Sequence, residues 1–418
     1  MSEKRLLILS FYFRPDLSAG SFRTTALVEK LLQQCPDLKV DVITTLPNRY
    51  SSFNSQALEE ERLSHLHIRR IRLPAHRSGM LDQTRAFLHF ARQVSEMVRR
   101  DQYDLVYATS SRLMTAALGA WIAGRMKVPL YLDIRDIFVD TIKDVLPRRL
   151  SWFLRPLFAW IERWTIRRAV TVNLVSQGFE PYFRSRYPEQ SFTYFTNGID
   201  DEFLHFGATK AEPSGPAHGI VRVLYAGNMG EGQGLHAIVP ALAKGLEGRA
   251  EFRLIGDGGR RTQLECALAQ AGVSNATLVD PMPRANLIRE YLAADVLFLH
   301  LNDHEAFKKV LPSKIFEYAA LSKPIWAGVS GFSAKFIAEE VSNAAVFPPC
   351  NAELAFYAFA KLELKTTPRA AFIRKFNRNS VMEKMAAHIL LFVHATQTEV
   401  PSAKKAEATL ANAAELDL

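Results

Sequence analysis

A chain of 418 residues, 48% of them hydrophobic and 23% charged, is long enough for two ordinary domains and too polar for a membrane bundle. Its net charge of +9 lies entirely in the first half: residues 1–200 carry 29 Lys and Arg against 20 Asp and Glu, residues 201–418 carry 23 against 23. A basic half suits nucleic acid, an anionic membrane or a phosphorylated substrate; no apolar run approaches the ~20 residues of a membrane-spanning helix, and three scattered cysteines (Cys35, Cys266, Cys350) argue against a disulfide framework and for a reducing compartment.

Strand and helix patterns alternate in two successive passes, which predicts two doubly wound α/β domains with parallel sheets. In the first pass, strands are expected at residues 5–13, 40–45, 68–73, 105–109, 130–133, 170–176 and 192–195, with helices ending near residue 32 and spanning 81–98 and 113–123. The opening apolar run is short, meets Arg14-Pro15 and lacks a small-residue cleavage site, so it reads as a strand rather than a signal peptide. The turn at Asn197-Gly198 closes a first domain of residues 1–200, and 201–219, rich in Ala, Pro, Gly and charge, is expected to be a linker. The second domain, 220–371, is expected to hold strands at 220–226, 252–255, 277–279, 296–300 and 324–327 and a helix over 236–246. A helix over 372–394 would return to the first domain, and 395–418, which has no apolar face, reads as a disordered tail.

The stretch 302–331 carries the most informative motif. Leu311-Pro-Ser-Lys-Ile-Phe-Glu-Tyr318 follows the apolar run 295–301 and should turn a loop into a helix near Pro312 or Ser313, because proline has no amide hydrogen to lose and its φ suits a first turn. The amides of Ser313, Lys314 and Ile315 would then offer an anion site, with Lys314 adding a full charge. Glu317, one turn on, shares that face about 5–6 Å away. It suits the hydroxyls of a sugar or ribose, or it is a solvated first-turn glutamate favoured by the helix dipole.

Glycine-rich loops follow the first strand of each half, at Ser18 to Gly20 and Gly227 to Gly234, where bare backbone can approach a diphosphate beyond the strand ends; either could equally be a tight turn. Neither spells G-x-G-x-x-G and no acidic residue ends the strand at Thr45, which disfavours a dinucleotide-binding enzyme. Gly256, with Arg260 and Arg261, ends another strand on the same side, and the arginines either reach a phosphate or are solvated. Asp133-Ile-Arg135-Asp136 ends a first-domain strand and offers catalytic groups or an internal Arg–Asp pair. The chain contains no Asp-x-Asp, His-Glu-x-x-His or Cys-x-x-Cys, so no metal is expected and a leaving diphosphate would be neutralised by amides, Lys and Arg.

Within 143–169, a helix would carry Leu157, Trp160, Ile161 and Trp164 on one apolar face, with Lys143, Arg148, Arg149, Arg155, Arg163, Arg167 and Arg168 within or beside it. That composition suits an anionic membrane interface, or a helix docked on the first domain's sheet. Single-stranded nucleic acid is disfavoured because no β-barrel pattern surrounds the stretch.

Taken together, residues 14–24, Asp133-Ile-Arg-Asp136, Asn197-Gly-Ile-Asp200, Tyr225-Ala-Gly-Asn-Met-Gly230, Leu254-Ile-Gly-Asp-Gly258, Ala294-Asp-Val-Leu-Phe-Leu299 and Pro312-Ser-Lys-Ile-Phe-Glu-Tyr318 with Lys323-Pro-Ile325 resemble the large retaining glycosyltransferase family of GT-B fold. Its members include bacterial transferases of capsule, exopolysaccharide and O-antigen assembly, and the set is most similar to the subgroup with N-acetylfucosamine-type transferases. The resemblance implies an α/β architecture of two facing Rossmann-like domains with a central cleft, the first binding acceptor and the second donor. It implies retaining hexosyl or N-acetylhexosaminyl transfer from a nucleoside diphosphate sugar to a lipid-linked saccharide, by a cytoplasmic protein peripheral on the inner face of the plasma membrane, with no cofactor or metal and no nucleic acid.

By the same resemblance Glu317 would accept from the ribose, and Ser313 and Lys314 would meet the diphosphate with Gly20 and the Gly227 loop, Asn228 and Gly230 included; Gly256 and Arg260 are further phosphate-side candidates, and Arg135 and Asp136 are candidates for the acceptor side. Two departures stand out. The family's first glutamate, eight positions before the second, is Lys309 here, and the Arg and Lys often found in the second glycine loop are Asn228 and Gln233. Lys308 or Lys309 would restore the charge, with Asp303 or Glu305 supplying a carboxylate to the sugar. Two rival readings stay open: a nucleotide-sugar epimerase of the same fold, which would release free 2-epimerised sugar without acceptor, and a non-catalytic membrane-bound assembly partner, which would tolerate Glu317→Ala.

Overall fold

Two runs at the centre of the first domain, apolar but for Arg5 and Thr109 at their ends, become neighbouring strands: β1 (Arg5–Leu9) and β5 (Leu105–Thr109), in which Leu6, Leu7, Ile8, Leu9, Leu105, Val106 and Tyr107 are fully buried. A strand buried on both faces needs helices on both sides, as parallel sheets have. The computed structural model describes residues 3–16, 18–47, 57–74, 80–110, 113–137, 139, 148–207 and 219–395. It divides into one unit of residues 1–197 with 379–418 and another of 198–378.

The first unit's sheet adds β2 (Lys39–Thr45), β3 (Glu60–Arg62), β4 (Leu66–Ile71), β6 (Leu130–Ile134), β7 (Thr171–Leu174) and β8 (Phe192–Thr193), in the order β3-β4-β2-β1-β5-β6-β7-β8. Only β3 is antiparallel; this edge strand, Glu-Glu-Arg, has no apolar signature and was not anticipated. Helices α1 (Ala19–Gln34), α2 (Met80–Met97), α3 (Leu113–Met126), α4 (Arg148–Arg168) and α5 (Glu180–Arg186) connect the strands.

In the second unit, β9 (Val221–Ala226), β10 (Ala250–Ile255), β11 (Ala276–Val279), β12 (Val296–His300), β13 (Ile325–Gly328) and β14 (Ala344–Phe347) form an all-parallel sheet ordered β11-β10-β9-β12-β13-β14. Its helices are α6 (Asp201–Gly207), α7 (Leu235–Gly245), α8 (Arg261–Gln270), α9 (Arg284–Ala293), α10 (Lys314–Ala320), α11 (Gly331–Glu340), α12 (Ala352–Ala360) and α13 (Ala370–Phe376). Alternate residues feed two cores: Leu224, Leu297 and Ile325 join one, while Val223, Phe298 and Trp326 join the other.

Residues 201–207, expected to start a linker, form α6, whose Phe203 is buried; 208–218 of that linker, 143–147 of the basic stretch and 396–418 of the tail lie outside the described residues. The single helix expected over 372–394 is two, α13 and α14 (Arg378–His394), broken at Asn377. Tertiary pairing overrides the local pattern there: the Ile199 amide donates to the Phe376 carbonyl at 2.7 Å, and the Arg378 amide to the Ile199 carbonyl at 2.9 Å. Beyond the break, Met382, Met385, Ala386 and Ile389 enter the first unit's core.

In both sheets the strand order reverses, between β1 and β5 and between β9 and β12. Open α/β sheets leave a ligand crevice beyond the carboxyl ends of such strands. The candidate donor-side and acceptor-side residues lie on loops or helix starts that follow strands of one sheet or the other.

Candidate functional site

At the β9–β12 switch point, Lys314 and Glu317 come from α10, which starts at Lys314 with Ser313 as its cap residue. The helix occurs where expected, but its first turn differs from the expected anion seat. The Ile315 amide donates to the Pro312 carbonyl at 3.1 Å, so only the side chain of Lys314 and amides before Ile315 remain for an anion. The Lys314 side chain runs beside Gly227, where a Cβ would lie 3.5 Å from its Cε.

Lys314 Nζ donates to Glu317 Oε2 at 2.9 Å and to the Tyr291 hydroxyl at 2.9 Å, and Tyr291 donates to the same carboxylate oxygen at 3.3 Å. Burial works to raise the Glu317 carboxyl, but Lys314 and Arg284 outweigh it and hold the group below its ordinary value. Burial likewise opposes the charge on Lys314, and Glu317 outweighs it, raising the ammonium above its ordinary value. Both groups therefore stay ionised. An ammonium has three donors and Lys314 spends two; among the described residues Glu317 Oε1 has no partner. The site holds a charge pair with bonding capacity left over.

Tyr291 is fully buried, edge-on to Tyr318, whose hydroxyl accepts the Ala226 amide at the end of β9 at 3.3 Å. Arg284 pairs with Asp200 and Glu202, and Arg378 meets Asp200 at 2.7 Å. Sequence reading did not find Tyr291, Arg284 or Asp200 as parts of this site: each is brought in by a long-range contact that no local spacing announces.

The glycine loops are packed backbone to backbone. A Cβ on Gly256 would sit 1.8 Å from the Gly227 carbonyl oxygen and one on Gly258 2.6 Å from the Met229 carbonyl carbon, while the Met229 amide donates to the Asp257 carbonyl at 2.9 Å. Gly256 is thus accounted for by loop packing. The Gly230 amide and the Asn228 side chain both donate to Gln233 Oε1, at 3.2 and 2.8 Å, so that turn is internally satisfied rather than open to a phosphate.

Arg260 bonds Glu231 at 2.6 Å and Arg261 bonds the Gly256 carbonyl at 2.6 Å, so both arginines tie loops together. Lys308 pairs with Glu305, Lys309 is half-buried in the short 3-10 turn Phe307–Lys309, and neither lysine is bonded to Lys314 or Glu317. A feature missed in the sequence is His300, fully buried at the end of β12: its Nδ1 faces the Gln233 carbonyl at 2.7 Å and its Nε2 accepts the Cys350 amide at 3.0 Å. Burial pushes this imidazole down to about 4, the bond to Gln233 opposing, so it is neutral at ordinary pH.

In the first unit, Gly20 opens α1 and Arg135 follows β6. Their contact is close: a Cβ on Gly20 would lie 2.3 Å from Arg135 Nη1, so the glycine makes room for the guanidinium. The Arg135 amide donates to Ser110 Oγ at 3.0 Å, and Asp136 is exposed. Burial, the largest influence, and Arg23 lower the Arg135 guanidinium from its ordinary value, against the pull of Asp133. The internal Arg–Asp pair left open by the sequence exists, but between Arg23 and Asp133: Nε to Oδ2 at 2.9 Å and Nη2 to Oδ1 at 3.0 Å, both side chains wholly buried.

Two family models match the chain: Glycosyl transferase 4-like domain over residues 23–198, and Glycosyl transferases group 1 over 209–378. No curated protein sequence matches it. Among solved structures, Anabaena Alr3699/HepE in complex with UDP-glucose is 15% identical with a TM-score of 0.62, the match covering 92% of this chain and 99% of that one. WaaG, a glycosyltransferase involved in lipopolysaccharide biosynthesis, is 15% identical with a TM-score of 0.59, over 96% and 99% of the two chains. An alpha,alpha-trehalose-phosphate synthase (UDP-forming) from Burkholderia xenovorans, in complex with glucose-6-phosphate, is 12% identical with a TM-score of 0.62, over 91% and 98%. At such identities the likeness is one of fold, a pair of Rossmann-like domains.

Proposed function

Given that the chain belongs to the GT-B glycosyltransferases, joining a 4-like domain to a group 1 domain, we propose that it moves a hexosyl or N-acetylhexosaminyl group from a nucleoside diphosphate sugar to a lipid-linked saccharide, with retention, in cell-surface polysaccharide assembly. The observation that carries this reading is Lys314 lying beside Gly227 at the β9–β12 switch point, bonded to Glu317, with a donor on one and an oxygen on the other still unused. The spare ammonium donor meets the diphosphate, and Glu317 Oε1 accepts from the ribose hydroxyls. HepE with bound UDP-glucose and WaaG, with its part in lipopolysaccharide biosynthesis, support the donor class and the pathway.

In the transfer, an acceptor hydroxyl oxygen bonds to the anomeric carbon while the bond from that carbon to the phosphate oxygen breaks. The hydroxyl proton passes to the departing phosphate on the same face, so configuration is retained without a protein nucleophile. Lys314 stabilises the charge that builds on the leaving diphosphate. Arg135 and Asp136 are the acceptor-side candidates, Arg135 because its half-buried guanidinium stands against the start of α1, where Gly20 makes room for it. With no Asp-x-Asp in the chain, chelation of divalent metal is expected to leave the rate unchanged.

The acceptor's lipid implies a membrane face, at the inner surface of the plasma membrane. Among the described residues no helix is long and apolar enough to cross a bilayer. Instead α4 buries Glu162, Thr165 and Ile166 and leaves Leu157, Trp160 and Trp164 51%, 63% and 39% exposed beside Arg155, Arg163 and Arg167. Aromatic and cationic groups mixed on one helix suit an anionic interface.

A thermal-shift panel of nucleoside diphosphates tests the donor half: one of them at 100 times its dissociation constant should add about 2.7 kcal/mol of stability. Glu317→Ala should abolish that shift. A protein indifferent to every nucleoside diphosphate would sink the reading.

A further inference from the structure

Beside the exposed face of α4 lies a cavity of about 340 Å³, at the small end of the ~300–1,000 Å³ typical of ligand sites. Arg155 and Arg163 border it from α4 and Arg186 from the last turn of α5. The two α4 arginines are eight residues apart, about 12 Å along the axis. Ala159 lies between them and also lines the cavity, so its short side chain keeps the gap open.

Arg155 and Arg163 are exposed and, among the described residues, have no carboxylate partner. Arg186 is held in place: its guanidinium lies 3.7 Å over the Tyr182 ring and donates to the Tyr182 carbonyl at 3.0 Å. Among the described residues the only carboxylate in the lining, Glu162, is 4% exposed and receives the hydroxyls of Tyr182 at 3.1 Å and Tyr187 at 2.9 Å. Its charge is therefore met by donors within the protein, so among the described residues the lining sets three cations against one occupied anion. Trp160, 63% exposed, lines the same cavity, and Leu157 stands beside it on the helix.

Three arginines around a small concavity fit a phosphate ester, while large exposed apolar side chains at its rim have no use for a soluble anion. We propose that this cavity seats the phosphate headgroup of an anionic membrane phospholipid, its acyl chains passing Trp160 and Leu157 into the bilayer. The assignment rests on the membrane part of the function proposed above and gives it a specific lipid contact.

The test is flotation of the full chain on vesicles of phosphatidylcholine, alone or mixed with phosphatidylglycerol. The parent should favour the mixed vesicles. Ala159→Leu, which fills the gap without changing charge on an exposed helical position, should lose at least fivefold of that preference and keep its binding to phosphatidylcholine. Arg155→Gln/Arg163→Gln/Arg186→Gln should lose more than tenfold, whereas Arg92→Gln/Arg99→Gln/Arg100→Gln, which removes the same charge elsewhere on the first unit, should lose less than threefold. Circular dichroism confirms that each variant is folded.

Equal losses in the two triple variants would assign the effect to diffuse attraction and overturn the pocket, as would an unaltered Ala159→Leu protein. Displacement from the mixed vesicles by millimolar inorganic phosphate would make it a site for free phosphate and also overturn the lipid assignment. Equal flotation on both vesicle types leaves membrane association standing and sinks the pocket, while flotation on neither removes both. Retention of an acidic peptide but not of vesicles would assign the cavity to a protein partner instead.

Discussion

Each unit keeps an ion pair near the carboxyl end of its sheet, and the two are built to opposite specifications. In the first, Arg23 spends its donors on both oxygens of Asp133 and on the carbonyls of Phe195 and Thr196, while Asp133 also accepts Asn173 at 2.7 Å. In the second, Lys314 and Glu317 meet through one oxygen only, with Tyr291 as the third member. In the first pair every nitrogen of Arg23 and both oxygens of Asp133 are bonded and both side chains are fully buried; the second is 24% and 12% exposed and retains a donor and an oxygen. A pair bonded at every heavy atom and sealed from solvent holds structure, whereas a partly exposed, incomplete one can still bind. That difference, rather than burial or charge alone, is the ground on which we propose Lys314 and Glu317 as the binding pair.

The contrast predicts opposite mutant phenotypes. Arg23→Met leaves Asp133 charged and unpaired in the core and should cost about 3–5 kcal/mol of stability. Nucleoside diphosphate binding by the folded protein should be unchanged. Lys314→Ala should do the reverse: kcat/KM falling about 10²–10³-fold, or about 2.7–4 kcal/mol, with a much smaller shift in Tm. Denaturant unfolding together with donor kinetics on both variants checks the pair. A Lys314→Ala enzyme with parental kcat/KM would erase the distinction.

How much of this could be read in the sequence follows from the range of the interactions. The parallel α/β pattern was visible because β1, β5, β9 and β12 are short, mostly apolar runs, almost wholly buried, that alternate with helical patterns. Lys314 and Glu317 were visible because one helical turn joins them. Their third partner was not: Tyr291 lies 23 residues before Lys314, on a different helix, and only the packing of α9 against α10 unites them. The glycines at 256 and 258 suggested phosphate but answer to a neighbouring loop's backbone, a close approach that sequence cannot distinguish from a ligand's. The break at Asn377 was hidden because apolar spacing continues through it, and the Ile199 strand segment decides it.

A third measurement sharpens the second-unit side through pH. The His300 ring is held below its ordinary 6.5, at about 4, so the fold requires its neutral form. Protons favour the unfolded chain as pH falls through that interval: His300 contributes fully above pH 6.5 and loses its contribution toward pH 4, on the order of 3 kcal/mol in all. Urea unfolding of His300→Gln should lack that slope, and an identical slope in parent and variant would contradict it. Glu317, lowered, and Lys314, raised, work the other way: the carboxylate's contribution fades only as pH falls below its ordinary 4.5, and the ammonium's only as pH rises above its ordinary 10.5. Affinity for a nucleoside diphosphate sugar, whose esterified phosphates do not titrate near neutrality, should therefore be flat between pH 6 and 9.

The smallest effect expected is from Tyr291→Phe, which removes a neutral hydroxyl from a pair that stays bonded at 2.9 Å. About 1 kcal/mol, near fivefold in nucleotide affinity, is appropriate for such a bond. Titration calorimetry reads it directly, and a hundredfold loss would mean that the tyrosine itself contacts the ligand.

The central claim is that Lys314 and Glu317 together hold a nucleoside diphosphate at the β9–β12 switch point. Crystals of the protein grown with saturating UDP or GDP test it most directly. The account predicts the diphosphate within hydrogen-bonding distance of Lys314 Nζ and the ribose hydroxyls at Glu317 Oε1, with Tyr291 still bonded behind them. A nucleotide bound elsewhere, or no nucleotide at saturation, would contradict it.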